Sequence, residues 1–373
     1  MLRGGVLLIH KRPGMASFDV IRQLRRSLKT KKLGFLGTLD PFAEGILPVF
    51  VNHATRLIPY LDESRKVYRV LIAFGHQTTT GDGTGEIVEE MPLTELDPTE
   101  LTHRINEAIK VLQARKEQRI PAYSAAKYKG KKLYEYARAG EAVPELYKAI
   151  TVYELKLLHL LTAKELADSY GLAFSSLAQH PLCPRPEPWE AWTGRGLRGG
   201  ALDRPNIEAQ DSAFALLHCE VSGGTYIRQL VEDLGKIIGY PAYALRLIRT
   251  QTGVMKDEHA MDVDEVLFHM TKPRIKQEVS WYECFWPRAL EGAALLHPLS
   301  ACPEIPVLEC SHEIAMELLQ GKRPLAAKSL SVGRYALVSP LGFLGLVQNR
   351  GSDQRLRVER MLVPLEDYRT KLS

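Results

Sequence analysis

Apolar positions along the chain fall into two alternating patterns. Val6–Ile9 is a short continuous apolar run closed by a Pro13-Gly14 turn signal, and it reads as a buried strand. After Ser17, a predicted N-cap, Val20, Ile21, Leu24 and Leu28 keep helical spacing while Arg22, Arg25, Arg26 and Lys29 share the opposite face. A glycine-studded loop, Gly34 to Asp40-Pro41, follows, and Ile46–Val51 is again apolar. Residues 66–74 read as a strand and 101–113 as an amphipathic helix. Residues 150–160 and 213–221 favour strand, and 226–238 predicts a helix with Ile227, Leu230, Val231 and Leu234 on one stripe and Gly239 as its stop. Between 162 and 212 the pattern breaks down into clustered prolines, Trp189 and Trp192, then Gly194, Gly196, Gly199 and Gly200, which is the chemistry of an inserted loop. Beyond a Pro-punctuated link, 273–305, the segment 306–373 mixes one helix, about 312–320, with short apolar runs and reads as a small β-rich domain.

Composition narrows the class. The chain has 373 residues, 45% apolar and 25% charged, with a net charge of +5, which fits a globular protein of two domains, or of one large domain with a small appendage, rather than a disordered or fibrous one. Its apolar runs are far short of the roughly 20 residues of a membrane span, and the first residues lack signal-peptide character, so a cytoplasmic protein is expected. Five irregularly spaced cysteines without a C-x-x-C pair predict neither a disulfide framework nor a metal site. No acidic residue lies between Asp19 and Asp40, whereas Arg22, Arg25, Arg26, Lys29, Lys31 and Lys32 crowd into that interval. With a second cluster at Lys127, Lys129, Lys131 and Lys132, a polyanion partner is expected, nucleic acid ahead of an acidic membrane surface.

Two constellations carry candidate chemistry. Gly34, Gly37 and Gly45 permit tight backbone conformations around Asp40, which Pro41 biases toward an extended geometry. An Asp before Pro is usually an ordinary turn residue; here it is a rigid carboxylate next to a surface suited to polyanions, which gives it a functional reading. In Gly223-Gly-Thr-Tyr-Ile-Arg228, Thr225 is a candidate cap that places Arg228 in the first helical turn, where the dipole disfavours a cation. Asp40 is its natural bidentate partner. The stretch Thr80-Gly-Asp-Gly-Thr-Gly-Glu86 lacks the Lys-Ser/Thr of a phosphate loop and reads as a turn beside a nucleic-acid groove.

Together these segments resemble a known family. GTLDPFAEGILP (37–48) is similar to the signature loop of the TruB-type tRNA pseudouridine synthases. LLIHKRPGMAS (7–17), KVYRV with TTTGDGTGE (66–86), IPAYSAAKYKGKKLYEYARAG (120–140), GTYIRQLVEDLG (224–235) and the Leu247–Arg249 region resemble the family's other motifs, in family order. The tail from 306 resembles a PUA-like RNA-binding appendage. The resemblance implies an α+β fold: a mixed central sheet with flanking helices over 1–272, interrupted by the 162–212 insertion, plus the C-terminal β domain. It implies isomerisation of uridine 55 in the T arm of tRNA to pseudouridine by a monomer, without metal or cofactor and away from membranes. The catalytic aspartate falls on Asp40, the active-site tyrosine on Tyr68 and the carboxylate-pairing arginine on Arg228. The uracil-contacting residues fall on Tyr226 and Leu247, and Lys11 matches the lysine of the opening motif. Arg25, Arg26 and Lys29 are the expected phosphate contacts.

The chain departs from the family pattern at three places. Phe35 stands where histidine is usual, and can stack on a base but not hydrogen-bond to it. His10 and Arg12 replace an acidic residue and a proline, and Ile248 replaces one of a pair of arginines. Two other readings stay open at this level: a catalytically weak tRNA-binding or folding protein on the same scaffold, and a glycosylase that uses Asp40 and releases free uracil.

Overall fold

The apolar runs become strands. The computed structural model describes residues 4–28, 30–61, 65–93, 97–162, 213–271, 295–327, 329–351 and 353–370. Val6–Lys11 (β1), Leu33–Phe35 (β2), Glu44–Val51 (β3), Lys66–Phe74 (β4), Val152–Thr162 (β5), Ala213–Val221 (β6), Ala242–Thr252 (β7) and Met261–Asp262 (β8) join one mixed sheet. Its order is β5-β6-β4-β7-β3-β1-β8, with β2 paired to β3 beside that path. The β7–β3 and β1–β8 pairs are parallel and the other neighbours along the path are antiparallel.

Four helices serve this sheet: Ser17–Leu28 (α1), Pro98–Gln113 (α2), Ile227–Ile238 (α3) and Val263–Thr271 (α4). On β4, Val70, Ile72 and Phe74 enter the main core with Leu101, Ile105 and Leu112 of α2 and Leu230 and Leu234 of α3. The alternate residues Leu71 and Ala73 meet Phe214 and Tyr243 in a separate cluster, as a period of two requires. α2 begins ahead of the expected 101–113 span, because the Asp97 carboxylate accepts from the Thr99 and Glu100 amides at 3.0 and 3.1 Å and Pro98 occupies the first turn. α3 ends as expected on Gly239, at φ 85°.

Two expected caps are corrected. Thr225 does not cap α3: its hydroxyl donates back to Ser222 O at 2.9 Å, and Tyr226 occupies the N-cap position without a side-chain bond. Ser17 does not cap α1 either; its Oγ donates to Leu39 O at 3.0 Å and accepts from Leu39 N at 2.9 Å. The glycine loop is also shorter than expected, because β2 pairs with β3 through Leu33, Gly34 and Phe35. Gly45, at φ +101°, is where β3 meets β7 in parallel, and a Cβ there would lie 2.2 Å from Arg249 O. Glycine is what lets these strands approach.

The C-terminal segment is β-rich, as expected. Val307–Glu309 (β9), Gly333–Ser339 (β10), Gly342–Asn349 (β11) and Leu356–Met361 (β12) form a four-stranded sheet in that order, with the His312–Leu319 helix capped by Ser311. It is fastened to residues 52–61: Arg56 Nη1 donates to Met361 O at 2.7 Å, His53 bonds to Leu362 O, and Arg334 lies 4.7 Å from the Tyr60 ring centroid. The insertion expected at 162–212 falls, except for its first residue, outside the described residues, as does most of the 273–305 link through residue 294. Among the described residues no helix is long and apolar enough to cross a membrane.

Candidate active site

Asp40 is pinned from both sides. Before it, Leu39 is clamped in both directions by Ser17 at the start of α1. After it, Pro41 O accepts from Gly14 N at 2.8 Å and from Lys11 Nζ at 3.3 Å. Lys11 is fully buried and also donates to Arg12 O at 2.9 Å and Met15 O at 2.7 Å, so its three N–H groups meet three carbonyls. Burial pushes its pKa down to about 7, against the opposing pull of Glu44 and Asp40. Lys11 therefore holds the Asp40 loop from beneath, with its ammonium bonded to three backbone carbonyls.

Arg228 supplies the charge that holds the carboxylate. Its Nε donates to Asp40 Oδ2 at 2.8 Å, Nη1 to Thr80 O at 2.5 Å and Nη2 to Tyr123 O at 3.0 Å. The Arg228 side chain is 4% exposed and that of Asp40 34%, so the pair presents its acid and hides its base. The contact is single rather than the expected bidentate fork, because backbone carbonyls take both Nη groups. A second carboxylate, Asp82, lies 3.7 Å from Arg228 Nε, with its Oδ1 tied to Thr80 Oγ1 at 2.8 Å and Thr84 N at 3.0 Å. The TTTGDGTGE turn thus belongs to the site, and Asp82 was missed because a Gly-Asp-Gly turn reads locally as a turn and nothing more.

Arg249 was also missed. It is fully buried, donating Nε to Ile46 O and Nη2 to Gly37 O, both at 2.9 Å, and so staples the two ends of the Asp40 loop to β7. It stands across from Tyr68 of β4 in the sheet register. Burial raises the Tyr68 pKa, with the Arg249 guanidinium pulling the other way and the Asp40 charge adding to the rise, so the phenol keeps its proton at neutral pH. Tyr226 responds in the same sense: burial raises its pKa, the neighbouring Ser124 and the Arg228 cation pull the other way, and the Asp40 charge adds to the rise. Its backbone is fixed by a reciprocal pair with the Gln118 amide at 2.8 and 2.9 Å. Leu247 is buried two residues from Arg249, in the main core.

The remaining expected residues lie elsewhere. Phe35 is half-buried on β2 against the core, and Ile248 faces Leu216 in a small cluster apart from the main core. Arg25 and Arg26 lie on α1, and Lys29 falls outside the described residues. Among the described residues, Glu154, His218 and Glu220 form a metal-sized group on β5 and β6. Glu220 is taken there by Arg65 at 2.7 Å, and Lys156 stands across from His218.

The substitutions in the opening motif are matched by acids on the segment before and within α4. Arg12 Nε donates to Asp262 at 3.1 Å and Nη1 to Asp264 at 3.3 Å. His10 Nδ1 lies 2.9 Å from both oxygens of the buried Asp257. Burial acts to lower the His10 pKa, but Asp257, Glu44 and Asp262 outweigh it, and the net shift is upward from 6.5. A histidine raised on folding contributes stability that is fully present below about pH 6.5 and is lost as pH rises through its folded value. Denaturant midpoints should therefore fall as pH rises above about 6.5, the ordinary histidine value, and His10→Gln should flatten that fall. An equal fall in the variant would place the titration elsewhere.

The mixed sheet carries Asp40 on its central loop, Arg228 of α3 bonded to it and Tyr68 buried on β4, the residues singled out by the resemblance to the pseudouridine synthases. The comparisons agree. A family model described as TruB family pseudouridylate synthase (N terminal domain) matches residues 25–168. The chain is 32% identical over 262 residues to tRNA pseudouridine synthase B of Oceanobacillus iheyensis, covering 70% of each. It is 34% identical over 263 residues to the Bacillus subtilis protein of that name, covering 70% of this chain and 69% of the relative. The chain belongs to the TruB family of pseudouridylate synthases. Two solved structures share the fold. "Crystal Structure of a Cbf5-Nop10-Gar1 Complex" matches at TM-score 0.60 and 18% identity, over 98% of this chain and 87% of that one. "Structure of H/ACA RNP bound to a substrate RNA containing 2'-deoxyuridine" matches at 0.59 and 17%, with the same coverage.

Proposed function

We propose that the chain converts uridine 55 in the T arm of tRNA to pseudouridine, with Asp40 as the catalytic group. The carrying observation is the half-open Asp40–Arg228 pair: a carboxylate one-third exposed on a loop fastened at both ends, backed by a buried guanidinium at 2.8 Å. The reaction is an isomerisation, breaking N1–C1′ and forming C5–C1′, while the C5 proton is lost and N1 gains one. It consumes no co-substrate. A carboxylate can stabilise or trap the detached centre, and the target base has to leave its stack at a cost of a few kcal/mol. Tyr68 and Tyr226, both protonated, supply stacking faces and hydroxyls for that base, with Leu247 closing the apolar side.

The RNA surface is read from charge and aromatics together. Lys127–Tyr128 and Lys131–Lys132 form a hairpin whose turn residues Lys129 and Gly130 both have positive φ, of 48° and 84°. Lys129, Lys131 and Lys132 lie 4.4–5.3 Å from the ring centroids of Tyr128, Tyr136 and Tyr134. This projection and α1 give two cationic surfaces for one polyanion. We assign residues 1–272 to the catalytic domain, 273–305 to a link and 306–373 to a PUA-like RNA-binding domain.

Transcribed tRNA carrying tritium at C5 of uridine tests the chemistry. The expected result is tritium release with no free uracil. Uracil release would support a glycosylase, and tight binding with neither product would support the binding-protein reading. Affinity should also fall steeply with salt: neutralising Arg25 and Arg26 together should flatten the log–log slope by up to about 0.9 per lost phosphate contact, treating the RNA like duplex DNA. An unchanged slope would put the RNA elsewhere.

A further inference from the structure

We propose that Phe18, edged by Arg22 and Arg25, is a stacking platform for an unpaired base of the RNA substrate beside the catalytic loop. The inference rests on the substrate being RNA and adds a contact that the catalytic reading does not use. Val20, Ile21, Leu24 and Leu28 seat α1 in the core, so that helix needs no further apolar anchor, yet Phe18 leaves 51% of its surface exposed. Residues 18, 22 and 25 share one helical face. The guanidinium carbons of Arg25 and Arg22 lie 5.4 and 6.0 Å from the Phe18 ring centroid, within cation–π reach. Asp19 pairs with Arg22 at 3.1 Å, and Arg25 keeps a buried Nε without a hydrogen-bond partner.

Placement decides what such a surface is for. Phe18 follows Ser17, and Ser17 is bonded twice to Leu39, the residue before Asp40. The ring therefore stands one residue from the clamp that fixes the catalytic aspartate. A target base drawn toward Asp40 leaves its neighbours unstacked, and an exposed ring with cations at its rim offers such a neighbour a π-face together with charge for its phosphate. An acidic protein could use the cations but gains nothing particular from the ring, whereas a nucleotide uses both.

Stacking and ionic contact separate by salt. Binding of an unmodified tRNA transcript to the full chain is measured by fluorescence anisotropy over a range of salt, for wild type, Phe18→Leu, Phe18→Tyr and Arg22→Gln. Phe18→Leu should weaken binding by about fivefold or more at every salt concentration, the range of a lost base–aromatic stack, with the slope unchanged. Phe18→Tyr should stay within about twofold of wild type, and Arg22→Gln should flatten the slope. Wild-type affinity in Phe18→Leu, or a loss that vanishes at high salt, would overturn the platform. Tritium release measured on the same preparations separates the two readings. If wild type releases none while binding still depends on the ring, the catalytic reading fails and the platform stands; release with ring-independent binding has the opposite meaning.

Discussion

Asp40→Asn should lose pseudouridine formation by about 10⁴-fold or more, the scale on which removal of a reacting group acts. Asparagine keeps the shape of aspartate and can still accept from Arg228 Nε, but it carries neither the charge nor the carboxylate oxygen that the proposed reaction uses. Binding of tRNA should persist, because in the proposed mode phosphate contacts on α1 and the Lys127–Lys132 hairpin supply most of the affinity. The loop should keep its conformation, since Ser17, Gly14, Lys11 and Arg249 hold its backbone rather than its carboxylate. A stability loss of about 1 kcal/mol is expected, modest because Asp40 is one-third exposed and solvent screens the pair. Single-turnover rates and denaturant midpoints check both parts. A variant turning over near the normal rate would remove Asp40 from the chemistry.

The second large effect is at Arg228. Methionine there matches its length but removes the cation between Asp40 and Asp82 and the donors to Thr80 O and Tyr123 O. Breaking a buried ion pair by removing one partner costs about 3–5 kcal/mol, so Arg228→Met should unfold at markedly lower denaturant and lose turnover together. Arg228→Lys should recover part of the stability and little of the turnover, because a single ammonium cannot reproduce three directed bonds. Turnover at the wild-type level in Arg228→Met would show that Asp40 is held by other means.

Much of this was readable along the chain. The strands at Val6–Lys11, Lys66–Phe74 and Ala213–Val221 and the helices on either side of the site announced themselves by period, and Asp40 by its glycines and proline. Its partnership with Arg228 was open to inference because a cation in a first helical turn calls for a nearby acid. What escaped were contacts between distant segments. Ser17 and Thr225 have cap chemistry in sequence, but Leu39 and Ser222 compete for their hydroxyls in the fold. Asp82 and Arg249 look like a turn aspartate and a strand arginine until β4, β7 and α3 bring them to the Asp40 loop. His10 and Arg12, departures from the family pattern in isolation, make sense once Asp257, Asp262 and Asp264 stand opposite. Local periodicity carries no register, and register is what assembled these pairs.

The central claim is that this site isomerises one particular uridine. The direct measurement is a position-resolved map of pseudouridine in an unmodified tRNA transcript after incubation with the full chain, beside a second transcript with cytidine at position 55. The account predicts pseudouridine at position 55 of the first and none in the T arm of the second. Modification at another position, or the same product from both transcripts, would contradict it.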